Sequence, residues 1–154
     1  MPTIKKRDRM KSKIISGLVS ILFISLTACG AKSYYVKNEN GKTIDKRLVG
    51  VWKGSESGNI MEGMSSEWEM TRNIDGTFSL DVKAILNGEL IEGTESGNWW
   101  IENGLFHEFH DVSGGTDIYN YKVLNTTQIK FKAKKMSIDV VNENYEFIDT
   151  KTKE

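Results

Sequence analysis

The sequence contains one cysteine and one proline, Cys29 and Pro2, in 154 residues. A single cysteine excludes any disulfide within the chain, so a packed hydrophobic core must stabilise the fold. The 38% of residues that are hydrophobic suffice for such a core in one small domain. Because the only proline is the second residue, no predicted strand lacks a backbone N–H donor.

The sequence also lacks the motifs of common catalytic and metal sites. It has no Gly-x-Ser-x-Gly motif, and its only histidines are His107 and His110, beside Glu108 and Asp111. On a strand, His107 and Asp111 would point to one face, and Glu108 and His110 to the other. Each face then holds too few ligands for a metal ion. We predict no metal site, no cofactor and no catalysis.

No apolar run is long enough to cross a membrane as a helix. Residues 14–26 are apolar, but 13 residues of helix rise only ~20 Å, against the ~30 Å of a bilayer core. This run follows a basic, polar segment and precedes small residues, which is the order of a secretory signal peptide. We therefore predict that residues 1–28 are a cleaved signal peptide. The alternative is an uncleaved membrane anchor, but the apolar run is too short to favour it.

Charge is divided unevenly along the chain. Residues 1–28 carry six basic residues and one acidic residue, whereas the whole chain carries 21 of each. The remainder therefore has 15 basic and 20 acidic residues. This acidic excess argues against a nucleic-acid partner, which would require a basic face.

The segment Leu26-Thr27-Ala28-Cys29 resembles the lipobox of bacterial lipoproteins. The resemblance implies cleavage before Cys29, a diacylglycerol thioether on its sulfur and acylation of the new amino terminus. Several acyl chains hold a protein stably on a membrane, so the membrane of the bacterial cell envelope is the predicted partner of Cys29. The glycine at position 30 permits the outer membrane, if the cell has two.

Residues 29–45 are predicted to be the lipidated N-terminus and a flexible tether. They are polar, show no sustained hydrophobic period and contain an Asn40-Gly41 turn signal.

From residue 46 to residue 154 the hydrophobic pattern has a period of two. The clearest alternation covers residues 77–84 and 129–134, and weaker alternation marks six more segments. The eight predicted strands are 48–53, 67–73, 77–84, 98–102, 105–111, 118–124, 129–134 and 137–148. Turn signals such as Asn87-Gly88 and Asn103-Gly104 separate them. We predict an all-β fold, a small antiparallel up-and-down barrel of about eight strands; a β-sandwich is the alternative.

The domain resembles the lipocalins and small bacterial lipocalin-like lipoproteins. The resemblance rests on Gly50-Val51-Trp52, on Asp75-Gly76-Thr77-Phe78 and on Gly97-Asn98-Trp99. It implies a barrel whose first tryptophan closes one end. In that family an arginine late in the chain covers this tryptophan, but the last predicted strand here has no arginine, and Arg72 comes far earlier.

Aromatic and aliphatic residues at inward-facing positions are the candidate ligand-binding residues. A small apolar ligand or lipid would contact them inside the barrel; they are Trp68, Phe78, Leu80, Tyr119, Tyr121 and Phe131. The alternative is that these side chains fill a solid core, since eight-stranded barrels often pack shut. The protein would then be a non-catalytic envelope interaction module, an inhibitor or assembly partner, that acts through its loops.

The connection 54–66 combines glycines with Ile60, Met61 and Met64. A long loop with apolar residues is typical of a lid over a barrel mouth, and a plug of the barrel end is the alternative. Trp99 and Trp100 are consecutive, so one of the two must face outward.

Overall fold

The computed structural model describes residues 33–140 and 142–152. The predicted signal peptide, the lipobox and Cys29 lie outside the described residues. The strands are β1 (Tyr35–Lys37), β2 (Thr43–Asp45), β3 (Gly50–Ser57), β4 (Met64–Arg72), β5 (Thr77–Leu86), β6 (Glu89–Glu102), β7 (Leu105–His110), β8 (Thr116–Val123), β9 (Gln128–Lys135) and β10 (Glu146–Lys151). One 3-10 turn, Lys46–Leu48, precedes β3. No helix in the described part of the chain has the length and apolar character needed to cross a membrane.

Strands β3 to β10 form a closed antiparallel barrel. Each of them pairs with the next strand in the chain, and the ring closes where β10 pairs with β3. The closing ladder is short, since it pairs only Thr150 with Lys53 and Lys151 with Trp52. The predicted all-β, eight-stranded up-and-down barrel is confirmed.

Tight turns lie where the sequence carries Asn-Gly pairs. Asn87 and Gly88 join β5 to β6 with φ angles of 51° and 88°, and Asn103 and Gly104 join β6 to β7 with φ angles of 51° and 75°. Asparagine tolerates this left-handed region better than most residues, and glycine adopts it freely. Both turns therefore fix the register of long hairpins.

Several boundaries differ from the predicted ones. The connection predicted at 54–66 is shorter, because β3 continues to Ser57 and β4 begins at Met64. β6 begins at Glu89, nine residues before the predicted start, and pairs with β5 from Glu89 to Asn98. The last strand begins only at Glu146, so most of the segment predicted as strand 137–148 is a loop. The early part of β6 was not predicted because residues 89–97 are polar and rich in charge. The segment 137–148 was predicted as a strand because apolar residues are scattered through the loop.

Part of the predicted tether is folded onto the barrel. β1 and β2 form a hairpin that adds to the edge of β6, where Thr43 pairs with Ile101. Ile44 and Asp45 are fully buried, and Asp45 Oδ2 accepts a 2.9 Å hydrogen bond from the Tyr121 hydroxyl. The folded domain thus begins before residue 46, and the prediction of a flexible tether fails for residues 35–45.

The end of the barrel beneath this hairpin is packed solid. Trp52 is 1% exposed, and its Nε1 donates a 2.9 Å hydrogen bond to the Leu48 carbonyl. Lys151 Nζ lies 5.5 Å from the Trp52 ring centroid, so a lysine on the last strand occupies the place over the tryptophan that the resemblance assigns to an arginine. Trp99 is also buried and stacks on Phe106.

Replacing Gly97 by alanine is expected to destabilise the barrel by roughly 1–3 kcal/mol, the usual range for overpacking. A Cβ at Gly97 would lie 1.9 Å from the Phe109 carbonyl oxygen and 2.7 Å from the Phe78 ring, so backbone would have to move. Gly93 on the same strand is the matched control, because a Cβ there meets only Val82 at 3.6 Å. Urea denaturation of both variants checks this; equal midpoints would contradict it.

Candidate ligand cavity

The other end of the barrel contains a cavity of about 200 Å³. It lies at the end bearing the β3–β4 and β9–β10 loops, and Ile60 and Ile138 from these loops contribute to its lining. The loops are joined by Asn142, whose N donates to the Asn59 carbonyl at 3.0 Å and whose Nδ2 donates to Asn59 Oδ1 at 2.8 Å. The mouth is therefore framed by two connected loops.

One wall of the cavity is apolar. Its side chains include Trp68, Met70, Leu80, Val82 and Phe147. The Trp68 ring is held edge-on against Phe147, with centroids 5.1 Å apart, and its Nε1 donates a 3.0 Å hydrogen bond to Asp149. A Cβ at Gly54 would lie 2.3 Å from this ring, so the glycine makes room for the tryptophan.

The floor of the cavity carries a buried arginine. Arg72 is 2% exposed, and its Nη2 donates a 2.7 Å hydrogen bond to Asp149 Oδ2. The guanidinium carbon lies 5.2 Å from the Phe106 ring centroid and 5.0 Å from that of Phe131, so the cation rests on the aromatic core. Nε and Nη1 of Arg72 have no hydrogen-bond partner among the described residues.

The opposite wall holds a cluster of acidic and basic side chains. His110 Nε2 lies 3.4 Å from Asp117 Oδ2 and 3.5 Å from Glu108 Oε1, and its Nδ1 lies 3.1 Å from Glu95 Oε2. Both Nε2 contacts lack hydrogen-bond geometry, so they are ion pairings only. Ser137 holds Asp117 in place, since its backbone N and Oγ each donate to Asp117 Oδ1 at 2.6 Å.

Burial and neighbouring charges shift the titration of this cluster. Burial raises the pKa of Glu108 to about 7, although the positive charges of Arg72 and His110 oppose the change. Burial lowers the pKa of His110, but the carboxylates of Asp117, Glu108 and Glu95 outweigh it and raise that pKa to about 9. At neutral pH His110 is therefore charged, and Glu108 is near its midpoint.

No protein-family model matches the chain, and no curated protein matches it significantly.

The predicted ligand-binding residues divide between the two ends of the barrel. Trp68, Leu80 and Tyr119 line the cavity. Phe78 and Phe131 are 3% and 0% exposed and belong to the hydrophobic core, outside the cavity lining. The Tyr121 hydroxyl contacts Asp45 and Tyr35 beneath the N-terminal hairpin, at the packed end.

Sequence reasoning placed Glu108 and His110 on one face and His107 on the other, and the structure agrees. Glu108 and His110 line the cavity, whereas His107 stacks on the outward-facing Trp100 with ring centroids 5.2 Å apart. Sequence reasoning missed Arg72 and Asp149 as buried residues of the site, although each continues the two-residue spacing of the inward-facing residues on its strand. Among the described residues, no group of three His, Asp or Glu side chains has the arrangement needed to hold a metal ion.

A larger hollow, of about 600 Å³, lies on the outside of the barrel over Gly54. Its rim consists mainly of exposed charged side chains, including Lys53, Glu69 and Lys83, and two of these are joined by the 3.2 Å Lys53–Glu69 ion pair. It exposes no unsatisfied buried polar group. The interior cavity is therefore the candidate site.

Proposed function

We propose that this chain is a lipid-anchored, lipocalin-like protein of the bacterial cell envelope, and that its barrel binds a small, largely apolar molecule without catalysis. The observation that carries the proposal is the interior cavity, which has an apolar wall at one end of a barrel otherwise packed solid. The lipobox resemblance around Cys29 supports the location on a membrane.

The size of the cavity limits the ligand. Pockets for drug-sized molecules measure roughly 300–1,000 Å³, and an engineered apolar cavity of about 150 Å³ accepts benzene. A cavity of about 200 Å³ therefore suits a single ring or a short branched chain. A longer acyl chain would have to extend through the mouth between the two loops.

Filling the cavity should abolish binding. We expect Leu80→Trp to weaken binding by more than about tenfold, because the indole would occupy the space of the ligand. The measurement is calorimetric titration of the full chain in phosphatidylcholine nanodiscs with benzoate, benzamide, hexanoate and hexanamide. Leu90→Trp is the matched control, since Leu90 is 63% exposed on β6 and does not line the interior cavity.

Binding of at least one probe that is lost in Leu80→Trp and retained in Leu90→Trp supports the proposal. If a folded wild-type chain binds none of the four probes, the proposal fails.

A second candidate, an envelope protein-interaction module, would then be favoured by one observation. Three loops at the cavity end and the start of β6 beside the fourth each expose an apolar side chain, namely Met61, Val112, Ile138 and Leu90.

A further inference from the structure

The first half of β6 is paired along one edge only. β6 has 14 residues and β7 has six, so β7 pairs only with the second part of β6, from Gly97 to Glu102. One further backbone hydrogen bond, from Asp111 N to the Ser96 carbonyl at 3.0 Å, ends this contact. In the described part of the chain, residues 89–95 therefore pair with β5 on one side and with no strand on the other.

The unpaired side presents backbone donors and acceptors. Along an antiparallel strand, the N–H and C=O groups of successive residues point to alternate edges. The Ser96 carbonyl points toward the β7 side, so the backbone groups of Leu90, Glu92 and Thr94 point to that side as well. These three residues are exposed, and among the described residues their outward groups have no backbone partner. Three N–H and three C=O groups, which we call the free edge, therefore face solvent.

Nothing in the backbone of this segment prevents another strand from pairing with it. Native proteins protect such edges with proline, with bulges, with charged side chains or with a covering segment. Residues 89–95 contain no proline, and their ladder with β5 has no shift of register. An extended polypeptide is the ligand whose groups match those of the free edge.

The charges along the edge select the kind of polypeptide. Residues 89–95 include three glutamates and no lysine or arginine. Glu95 pairs with His110 of the cavity wall, which leaves the other two glutamates to the edge. Glu92 lies 3.2 Å from Lys83, but both side chains are more than half exposed, so solvent screens this pair. A second copy of the chain would add glutamates to the same edge, whereas lysines on an added strand would attract them.

The two faces of the edge differ in polarity. Gly93 pairs with Val82, which lines the cavity, so Gly93 and Ile91 belong to the face on the cavity side. Ile91 is half exposed, and a Cβ at Gly93 would meet only Val82, at 3.6 Å. This face has room for apolar side chains of a neighbouring strand. Glu92 lies on the opposite, outer face, so a matching strand alternates basic and apolar residues.

We propose that the free edge of β6 binds an extended basic segment of another protein, which joins the sheet as an antiparallel strand with its basic side chains beside Glu92 and its apolar side chains beside Ile91. This surface is separate from the interior cavity, whose lining includes none of residues 89–95.

The first experiment follows amide hydrogen exchange by NMR in the full chain, held in phosphatidylcholine nanodiscs. In the free chain the amides of Leu90, Glu92 and Thr94 should exchange rapidly, whereas the alternate amides bonded to β5 should be protected. The probe is the peptide acetyl-Lys-Val-Lys-Val-Lys-Val-Lys-amide. At saturation it should slow exchange at the three outward amides by about tenfold or more, because they become hydrogen-bonded.

The second experiment changes the peptide and leaves the protein as it is. In the antiparallel pair the lysines lie opposite the outward residues of β6 and bond through their own backbone N–H groups, while the valine N–H groups point away. Backbone N-methylation of the two central lysines should therefore weaken binding by about tenfold or more, and that of two valines by less than about threefold. A peptide with glutamate in place of every lysine should bind at least about tenfold more weakly.

The third experiment changes the edge of the protein. Thr94→Pro removes one outward N–H without altering charge, and proline is tolerated where that N–H has no partner in the sheet. We expect it to weaken peptide binding by about tenfold or more. Thr94→Val is the matched control, since it keeps the N–H and should bind as the wild type does. If Thr94→Pro does not fold, the methylated peptides still decide the matter on the wild-type chain.

Slowed exchange at the three amides, together with loss of binding on lysine methylation and its retention on valine methylation, supports the proposal. Any other methylation pattern, or binding that leaves the exchange rates unchanged, overturns it. Absence of binding by a folded chain also overturns it, and leaves the glutamates as a guard against unwanted pairing. Protection of the outward amides in the chain alone, rising with its concentration, would overturn it in favour of a second copy.

Discussion

Replacing Arg72 alone by methionine is expected to lower the free energy of unfolding by about 3–5 kcal/mol, the usual cost of removing one partner of a buried ion pair. The Arg72 and Asp149 side chains are 1% and 0% exposed, so methionine would leave the aspartate buried without its cation. The pair also joins β4 to β10 across the barrel, beside the short β3–β10 ladder. Urea denaturation at pH 7 measures the loss.

The double variant Arg72→Met/Asp149→Asn is the control for this prediction. It removes both charges, and an asparagine can still accept from Trp68 Nε1 through its side-chain oxygen. We expect it to be at least 2 kcal/mol more stable than the single variant, since replacing a whole buried pair costs much less than breaking it. Equal stability of single and double variants would show that the unpaired aspartate is not the cause.

The stability of the barrel should fall by about 3 kcal/mol as the pH rises from 4.5 to 7, because of Glu108. The pKa of this buried acid is raised from 4.5 to about 7 in the folded chain. Between those values the folded chain keeps a proton that the unfolded chain has lost, so rising pH favours unfolding. This stabilisation is complete below pH 4.5 and is lost as the pH passes through the folded pKa.

Glu108→Gln should remove most of the pH dependence of the free energy of unfolding between pH 4.5 and 7. Denaturation at half-unit pH steps measures this dependence. His110 adds a second decline at higher pH, from its unfolded pKa of 6.5 to its folded pKa of about 9, because it too holds its proton more tightly when folded. The pKa of Asp117 is lowered, so its contribution is lost only as the pH falls below 3.8. A wild-type curve that rises between pH 4.5 and 7 would contradict the assignment to Glu108.

The barrel was predictable because local signals agree with one another. Alternation such as that of residues 77–84 identifies a half-buried strand, and Asn87-Gly88 identifies the turn after it. With hairpins joining successive strands, closure into a ring is the arrangement that leaves the fewest exposed edges. None of these inferences needs contacts between distant parts of the chain.

The polar part of the cavity was not predictable by the same reasoning. Period-two alternation separates two faces, but a charged residue is ordinarily assigned to the wet face. Arg72 lies inward because Asp149, 77 residues later in the chain, is buried opposite it. Such a pairing depends on the register of non-consecutive strands, on which the sequence pattern gives no information.

The N-terminal hairpin escaped prediction for a related reason. Residues 35–45 contain few apolar side chains, and a two-stranded hairpin of this kind has little stability of its own. It is ordered by the barrel, through Ile44 in the core and Asp45 on Tyr121. The composition of a segment does not show which surface of the protein it will pack against.

The ring of strands closes at a single junction between distant segments, and this has a consequence for how the protein folds. Every other neighbouring pair in the barrel is consecutive in the chain, so those hairpins form with little loss of loop-closure entropy. The β3–β10 junction brings together residues about a hundred positions apart, such as Trp52 and Lys151, and we expect it to form last. Asp149 on β10 and Arg72 on β4 lie on opposite sides of this junction, so the cavity floor is completed only with closure. A ligand bound there would stabilise contacts that we expect to be absent from the folding transition state, so it would slow unfolding rather than speed folding.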